Sequence, residues 1–94
     1  MICELDPEIH QPVRTRIIAL LIREGEADFG TVKKELNLTD GHMTTHMRVL
    51  IDGGLVEVHK EFLNNKPKTT YRISKIGKKK FLTYLDDLKK ILES

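Results

Sequence analysis

Apolar positions in this chain recur first at helical spacing, then at a spacing of two, then at helical spacing again. Over residues 12–23, Val13, Ile17, Leu20 and Leu21 follow the i, i+4, i+7, i+8 pattern of one helix face, and Ile18 and Ile22 widen it. A stripe that broad can be covered on two sides, once by its own domain and once by a partner. Asp6-Pro7-Glu8 also opens like a helix, but Pro12 would break a helix that ran through it, so residues 5–10 are read as a separate first turn. Glu24-Gly25-Glu26 ends the pattern and Ala27-Asp28 reads as a short extended link. Phe29, Val32 and Leu36 then predict a second, short helix over 29–36, with Asp28 as its cap and Asn37 able to take the left-handed conformation that closes it.

Only Asn37 and Leu38 separate that helix from Thr39, whose hydroxyl can accept from a free amide at the start of a third helix. Leu38 can pack on Met43 as a hydrophobic staple. At about 100° per residue, Met43, Met47, Leu50 and Ile51 form a core-facing stripe with His46 at its edge. The opposite side gathers Gly41, Thr44, Thr45, Arg48 and Asp52, flanked by His42 and Val49, and Gly53-Gly54 supplies a stop. Two helices joined by so tight a turn, the second with a polar outer face, form a helix-turn-helix arrangement. Thr, His and Arg can hydrogen-bond to phosphates and base edges, while Gly41 and Thr44 are small enough for close approach to another surface. The polar face could equally be a solvated one.

After Gly54 the pattern alternates. Val56, Val58 and Lys60 point one way and Leu55, Glu57 and His59 the other; farther on, Thr69, Tyr71 and Ile73 alternate with Thr70 and Arg72. The intervening 63–68 run, Leu-Asn-Asn-Lys-Pro-Lys, is rich in turn formers, which predicts a hairpin with a basic tip. Ser74 caps a final helix over about 75–92, in which Phe81, Leu85, Leu88 and Leu92 step like a heptad seam broadened by Ile76, Leu82, Tyr84 and Ile91. Such a seam in so small a protein suits a homodimer; folding back on its own core is the alternative.

The chain's 94 residues suit one small domain, near the lower limit for a self-sufficient core. Its net charge of +2 conceals an asymmetry: residues 60–80 hold eight basic residues against Glu61 alone, a local +7 that leaves −5 elsewhere. The four lysines at 75, 78, 79 and 80 do not suit a helix start, and an anion near the hairpin would account for them. No apolar run is long enough to span a bilayer, and Glu4, Asp6 and Glu8 do not fit a signal peptide, so a cytoplasmic location without membrane contact is expected. Cys3, the single cysteine, cannot form an internal disulfide and is read as an incidental thiol. His42 and His46 stand four apart but no clear third ligand accompanies them, so neither a metal nor another cofactor is expected. Nor is there a nucleophile–base pair, a glycine-rich phosphate loop or a carboxylate constellation, which argues against an enzyme.

Taken together, the 5–14 run (Leu-Asp-Pro-Glu-Ile-His-Gln-Pro-Val-Arg), Leu38-Thr39-Asp40-Gly41-His42-Met43, Gly54-Leu55-Val56 and the 66–73 run (Lys-Pro-Lys-Thr-Thr-Tyr-Arg-Ile) resemble small archaeal and bacterial winged-helix transcriptional regulators related to the MarR and ArsR groups. The resemblance covers nearly the whole chain. It implies a mainly α fold with a small β-hairpin wing, as a single domain over 1–94 whose terminal helices, about 5–23 and 75–92, form a homodimer. It further implies sequence-specific binding of double-stranded DNA. The third helix, about 40–52, would enter the major groove through Thr39, Gly41, His42, Thr44, Thr45 and Arg48. The basic wing, about 60–70, would follow the backbone or minor groove through Lys66 and Lys68. Ile9, Val13, Ile17, Phe81, Leu85, Leu88 and Leu92 are the expected dimer contacts. The paired-cysteine motif of many metal-sensing ArsR proteins is absent. A winged-helix protein-interaction module, with Thr44, Thr45 and Val49 meeting a protein, is the competing reading.

Overall fold

Each helix begins where a side chain can satisfy its free amides. Gln11 accepts from the Arg14 amide at 2.8 Å and Pro12 takes the first helical position, starting α1 (Pro12–Glu24). Asp28 accepts from the Thr31 amide at 2.8 Å ahead of α2 (Phe29–Leu36), and Asn37, at φ 53°, closes that helix. Thr39 accepts from the His42 amide at 3.1 Å and starts α3 (Asp40–Asp52). Asp28, Asn37 and Thr39 act as anticipated from sequence, whereas the Gln11 cap was not anticipated. In the computed structural model, which describes residues 4–93, the order continues with β2 (Val56–Leu63), β3 (Lys66–Ile73) and α4 (Lys75–Glu93). Cys3 lies outside the described residues.

Three further results were not anticipated. The 26–28 link is a strand, β1 (Glu26–Asp28), paired antiparallel with β3 so that the sheet runs β1-β3-β2. The hairpin strands also extend further than expected. Leu63 pairs with Lys66, and the turn is Asn64-Asn65 alone, at φ 52° and 62°. Two consecutive residues with positive φ make the tight turn whose twist matches its flanking strands. Pro67 is tolerated in β3 because its partner Phe62 stands next to the hydrogen-bonded Leu63–Lys66 pair, so the missing N–H faces the side that β1 does not reach.

The third concerns α1. Ile17, Ile18 and Leu21 have no exposed surface, and Leu20 has 4 %. The broad stripe is therefore covered on both sides by the chain's own elements. Ile9, in the first turn, is equally enclosed. Around α1 pack Val32, Met43, Met47, Leu50, Leu55, Val56 and Tyr71, with Phe81 and Tyr84 from α4.

The corner after α3 locks these layers together. Gly54, at φ 75°, donates to the Ile51 carbonyl, and Leu55 donates to Leu50, so a left-handed glycine reverses the chain while Leu50 and Leu55 bury each other. The Ser74 hydroxyl then accepts from the Gly77 amide at 2.9 Å and lies 2.7 Å from the Gly54 carbonyl, capping α4 on this corner. At Gly77 a Cβ would coincide with the Leu55 carbonyl, so only glycine lets α4 sit this close. The molecule measures 54 × 25 × 21 Å, and its radius of gyration of 14.3 Å exceeds the value of about 12 Å typical of a compact chain this long. Most of the hairpin beyond Val58 and the last turns of α4 carry exposed side chains.

Candidate nucleic-acid interface

α3 divides as its sequence predicts. Met43, Met47 and Leu50 are buried, whereas Gly41, His42, Thr44, Thr45, Arg48 and Asp52 are exposed and Val49 lies between. The structure thus gathers Gly41, His42, Thr44, Thr45 and Arg48 on one outward face, with the Thr39 cap at its start. Arg48, Thr44 and Thr45 form no side-chain hydrogen bond or ion pair among the described residues, which leaves their donors free. The turn into α3 is braced by an ion pair between Lys33 and Asp40 at 2.6 Å.

α3 is also held from behind. Arg14 donates from Nε to the Glu8 carbonyl at 2.7 Å, from Nη2 to the Pro7 carbonyl at 3.2 Å and from Nη1 to His46 Nδ1 at 3.1 Å. A guanidinium can only donate, so Nδ1 of His46 is the acceptor and is unprotonated. Burial, followed by the Arg14 charge and then His42, holds the His46 imidazole below its usual titration range. His46 therefore orients the helix, and its Nδ1 is not free for a metal.

The hairpin sorts its cations between two faces. Val56 and Tyr71 are buried on the core side, and alternation places Val58, Lys60 and Phe62 on that same side, continued past the core. Lys66 and Lys68 are on the opposite side with Glu57, His59 and Glu61. There Lys68 borders a groove lined by Glu24, Glu26, Asp28, Glu35 and Glu61, and its charge helps hold the Asp28 carboxyl low, after the Thr31 hydrogen bonds that dominate. Arg72 pairs with Glu26 at 3.6 Å. Of the two expected wing lysines, Lys66 stands at the tip and Lys68 among carboxylates, while Lys60 occupies the helix-facing side. Strand alternation could have singled out Lys60, since it follows Val56 and Val58 by the same step.

Two further expectations change. Lys79 and Lys80 line a groove with Glu4, Asp6 and Asp87, so acidic side chains beside the start of α4 offset them. Among the expected dimer residues, Ile9 and Ile17 are fully enclosed, Phe81 is 7 % exposed, and Val13 and Leu88 pack against the core. Leu85 and Leu92 do remain open, at 45 % and 87 %.

Residues 13–92 match the winged helix DNA-binding domain family. The chain belongs to that family. It is 34 % identical over 76 residues, 81 % of this chain and 83 % of the other, to an uncharacterised protein of Methanocaldococcus jannaschii. A transcriptional regulator homologue from Pyrococcus horikoshii superimposes with a TM-score of 0.84 at 31 % identity, covering 92 % of this chain and 85 % of that one. The transcriptional repressor BigR from Xylella fastidiosa shares the fold alone, with a TM-score of 0.70 at 20 % identity over 84 % of this chain and 74 % of its own. The chain is thus a winged-helix DNA-binding domain of the transcriptional-regulator type, and the four helices with a hairpin wing are that family's architecture. No helix among the described residues is long and apolar enough to cross a membrane.

Proposed function

We propose that the protein is a cytoplasmic, homodimeric transcriptional regulator that reads double-stranded DNA with α3 in the major groove and the β2–β3 wing on the adjoining backbone or minor groove. The observation that carries this reading is the outward face of α3, where Arg48, Thr44 and Thr45 have donors committed to nothing else while Met43, Met47 and Leu50 anchor the opposite side. Arg48 reads a base, with guanine as its best partner because O6 and N7 accept two of its N–H groups together. Lys60 and Lys66 contact phosphates and carry no sequence information. Lys68 contributes less, since nearby carboxylates already offset it.

The dimer is assigned to α4 rather than to both terminal helices. Leu85 and Leu92 continue the stripe of Phe81 and Leu88 onto turns with little cover of their own, and Ile91 adds to it at 43 % exposure. α1 has no comparable surface to offer.

Selection of bound duplexes from a random-sequence pool, followed by binding of the winners across salt, tests the reading. Enrichment of an inverted repeat with half-sites about 10 bp or a multiple apart, and a steep salt slope, is the expected outcome. No enrichment and a flat slope would instead mark a protein-interaction module.

A further inference from the structure

Phe62 is the most exposed aromatic among the described residues, at 70 %, whereas Tyr71, Phe81 and Tyr84 are all below 8 %. Its neighbour Leu63 is 46 % exposed. Leaving a phenyl ring in water forgoes a large favourable term, so an exposed Phe at a protruding tip asks for an occupant. The tip is also fully paired. Cross-strand pairing continues to Leu63–Lys66, and the two-residue Asn64-Asn65 turn leaves no slack in which the ring could fold away. Opposite Phe62 stands Pro67, in the closer-spaced kind of cross-strand pair, so the tip presents Phe62 and Pro67 as an apolar edge on one face while Leu63 points to the other.

Charge decides among occupants. Lys60 shares the Phe62 side and Lys66 sits across the hairpin, so the apolar edge is bracketed by cations on both faces. A second copy of this chain would bring the same cations against these, and a purely apolar partner would leave them without counterions. A minor groove supplies two phosphate rows about 6 Å apart with base edges between them, which matches a thin apolar edge flanked by lysines. Its position also fits, because Phe62 lies on the side of the wing that faces the helices, α3 included.

We propose that Phe62 is a wedge that enters the minor groove beside the α3 half-site and partly unstacks one base step, kinking the duplex. This rests on the DNA-binding reading above. Its consequence is specificity at a position no donor touches. Pyrimidine–purine steps such as TA and CA unstack most readily, so the wedge favours one of them at a fixed offset from the bases read by α3.

The test uses the full chain and short duplexes recovered by selection, carrying a fluorophore pair at the ends to report bending and 2-aminopurine at successive steps to report unstacking. Wild-type protein is expected to bend the duplex by tens of degrees and to raise 2-aminopurine fluorescence at a single step. Phe62→Ala, whose thermal melting should match wild type, is expected to lose both signals and about tenfold in affinity. Phe62→Lys is the sharper variant, because it adds a cation: it should recover affinity at low salt while the duplex stays straight. Bending and fluorescence unchanged by Phe62→Ala, or a straight duplex under wild-type protein, would overturn the wedge and leave DNA binding intact. A change in the sedimentation of DNA-free protein on Phe62→Ala would assign the ring to self-association and also overturn it. Wild-type protein that binds no duplex would overturn both readings.

Discussion

Arg14 on α1 donates a 3.1 Å hydrogen bond to His46 on α3, and the imidazole that receives it must be neutral. Because the same guanidinium holds the carbonyls of Pro7 and Glu8, one side chain ties the first turn, α1 and α3 together.

Stability should therefore depend on pH through His46. The folded state holds this imidazole below its ordinary range, so between the ordinary value, about 6.5, and the lower folded one the unfolded chain binds more protons. Stability is present above that window and lost as pH falls through it. Thermal melting between about pH 7.5 and 5.5 should show the midpoint falling with acidification, and His46→Asn, which keeps an acceptor without titrating, should flatten the fall. Asp28, held low by the Thr31 hydrogen bonds, acts only in far stronger acid. An unchanged slope in His46→Asn would remove His46 from the explanation.

Arg48→Ala and Lys66→Ala should weaken DNA binding in different ways. Loss of a bidentate guanine contact costs about 1–3 kcal/mol and relaxes sequence preference at one position. Loss of Lys66 or Lys60 should weaken all duplexes alike and lower the salt slope by roughly one per phosphate contact. Lys68→Ala should do so less than either. Competition binding against scrambled duplexes at several salt concentrations separates the two classes, and an equal effect of all four on every sequence would sink the assignment.

Glycines 41 and 77 should respond oppositely to alanine. A methyl at Gly77 meets the Leu55 carbonyl, with Ile73 Cδ1 at 2.9 Å, and the obstruction is backbone. Overpacking of this kind costs about 1–3 kcal/mol, read as a lower denaturant midpoint. At Gly41 nothing lies within 4 Å, so Gly41→Ala should keep the fold intact while its methyl intrudes on the surface proposed to meet DNA. Undiminished DNA affinity in Gly41→Ala would move the close approach elsewhere on α3.

Leu85→Lys should dissociate the proposed dimer without unfolding the protomer, since Leu85 is 45 % exposed. Sedimentation at micromolar concentration should show a monomer, and affinity for a two-half-site duplex should fall toward that of a single half-site. A variant that remained dimeric would place the interface elsewhere.

Much of this architecture was legible in sequence because it is local. Asp28, Asn37, Thr39 and Ser74 act within three or four residues of themselves, and the Met43, Met47 and Leu50 stripe depends only on helical period. The polar face of α3 followed from the same period, while its assignment as a DNA-reading surface came from the family resemblance.

What the tertiary structure alone decided is long-range. β1 has three residues and becomes a strand only because β3, more than forty residues later, offers its free edge. Composition marked 63–68 as a loop, yet pairing with β2 draws Lys66, Pro67 and Lys68 into the ladder and sorts Lys60 and Lys68 onto opposite faces. The apolar stripe of α1 was visible, but not that its own chain would cover both sides and leave the open seam to α4. Periodicity records that a surface is apolar; which partner removes it from water depends on where elements distant in sequence come to rest.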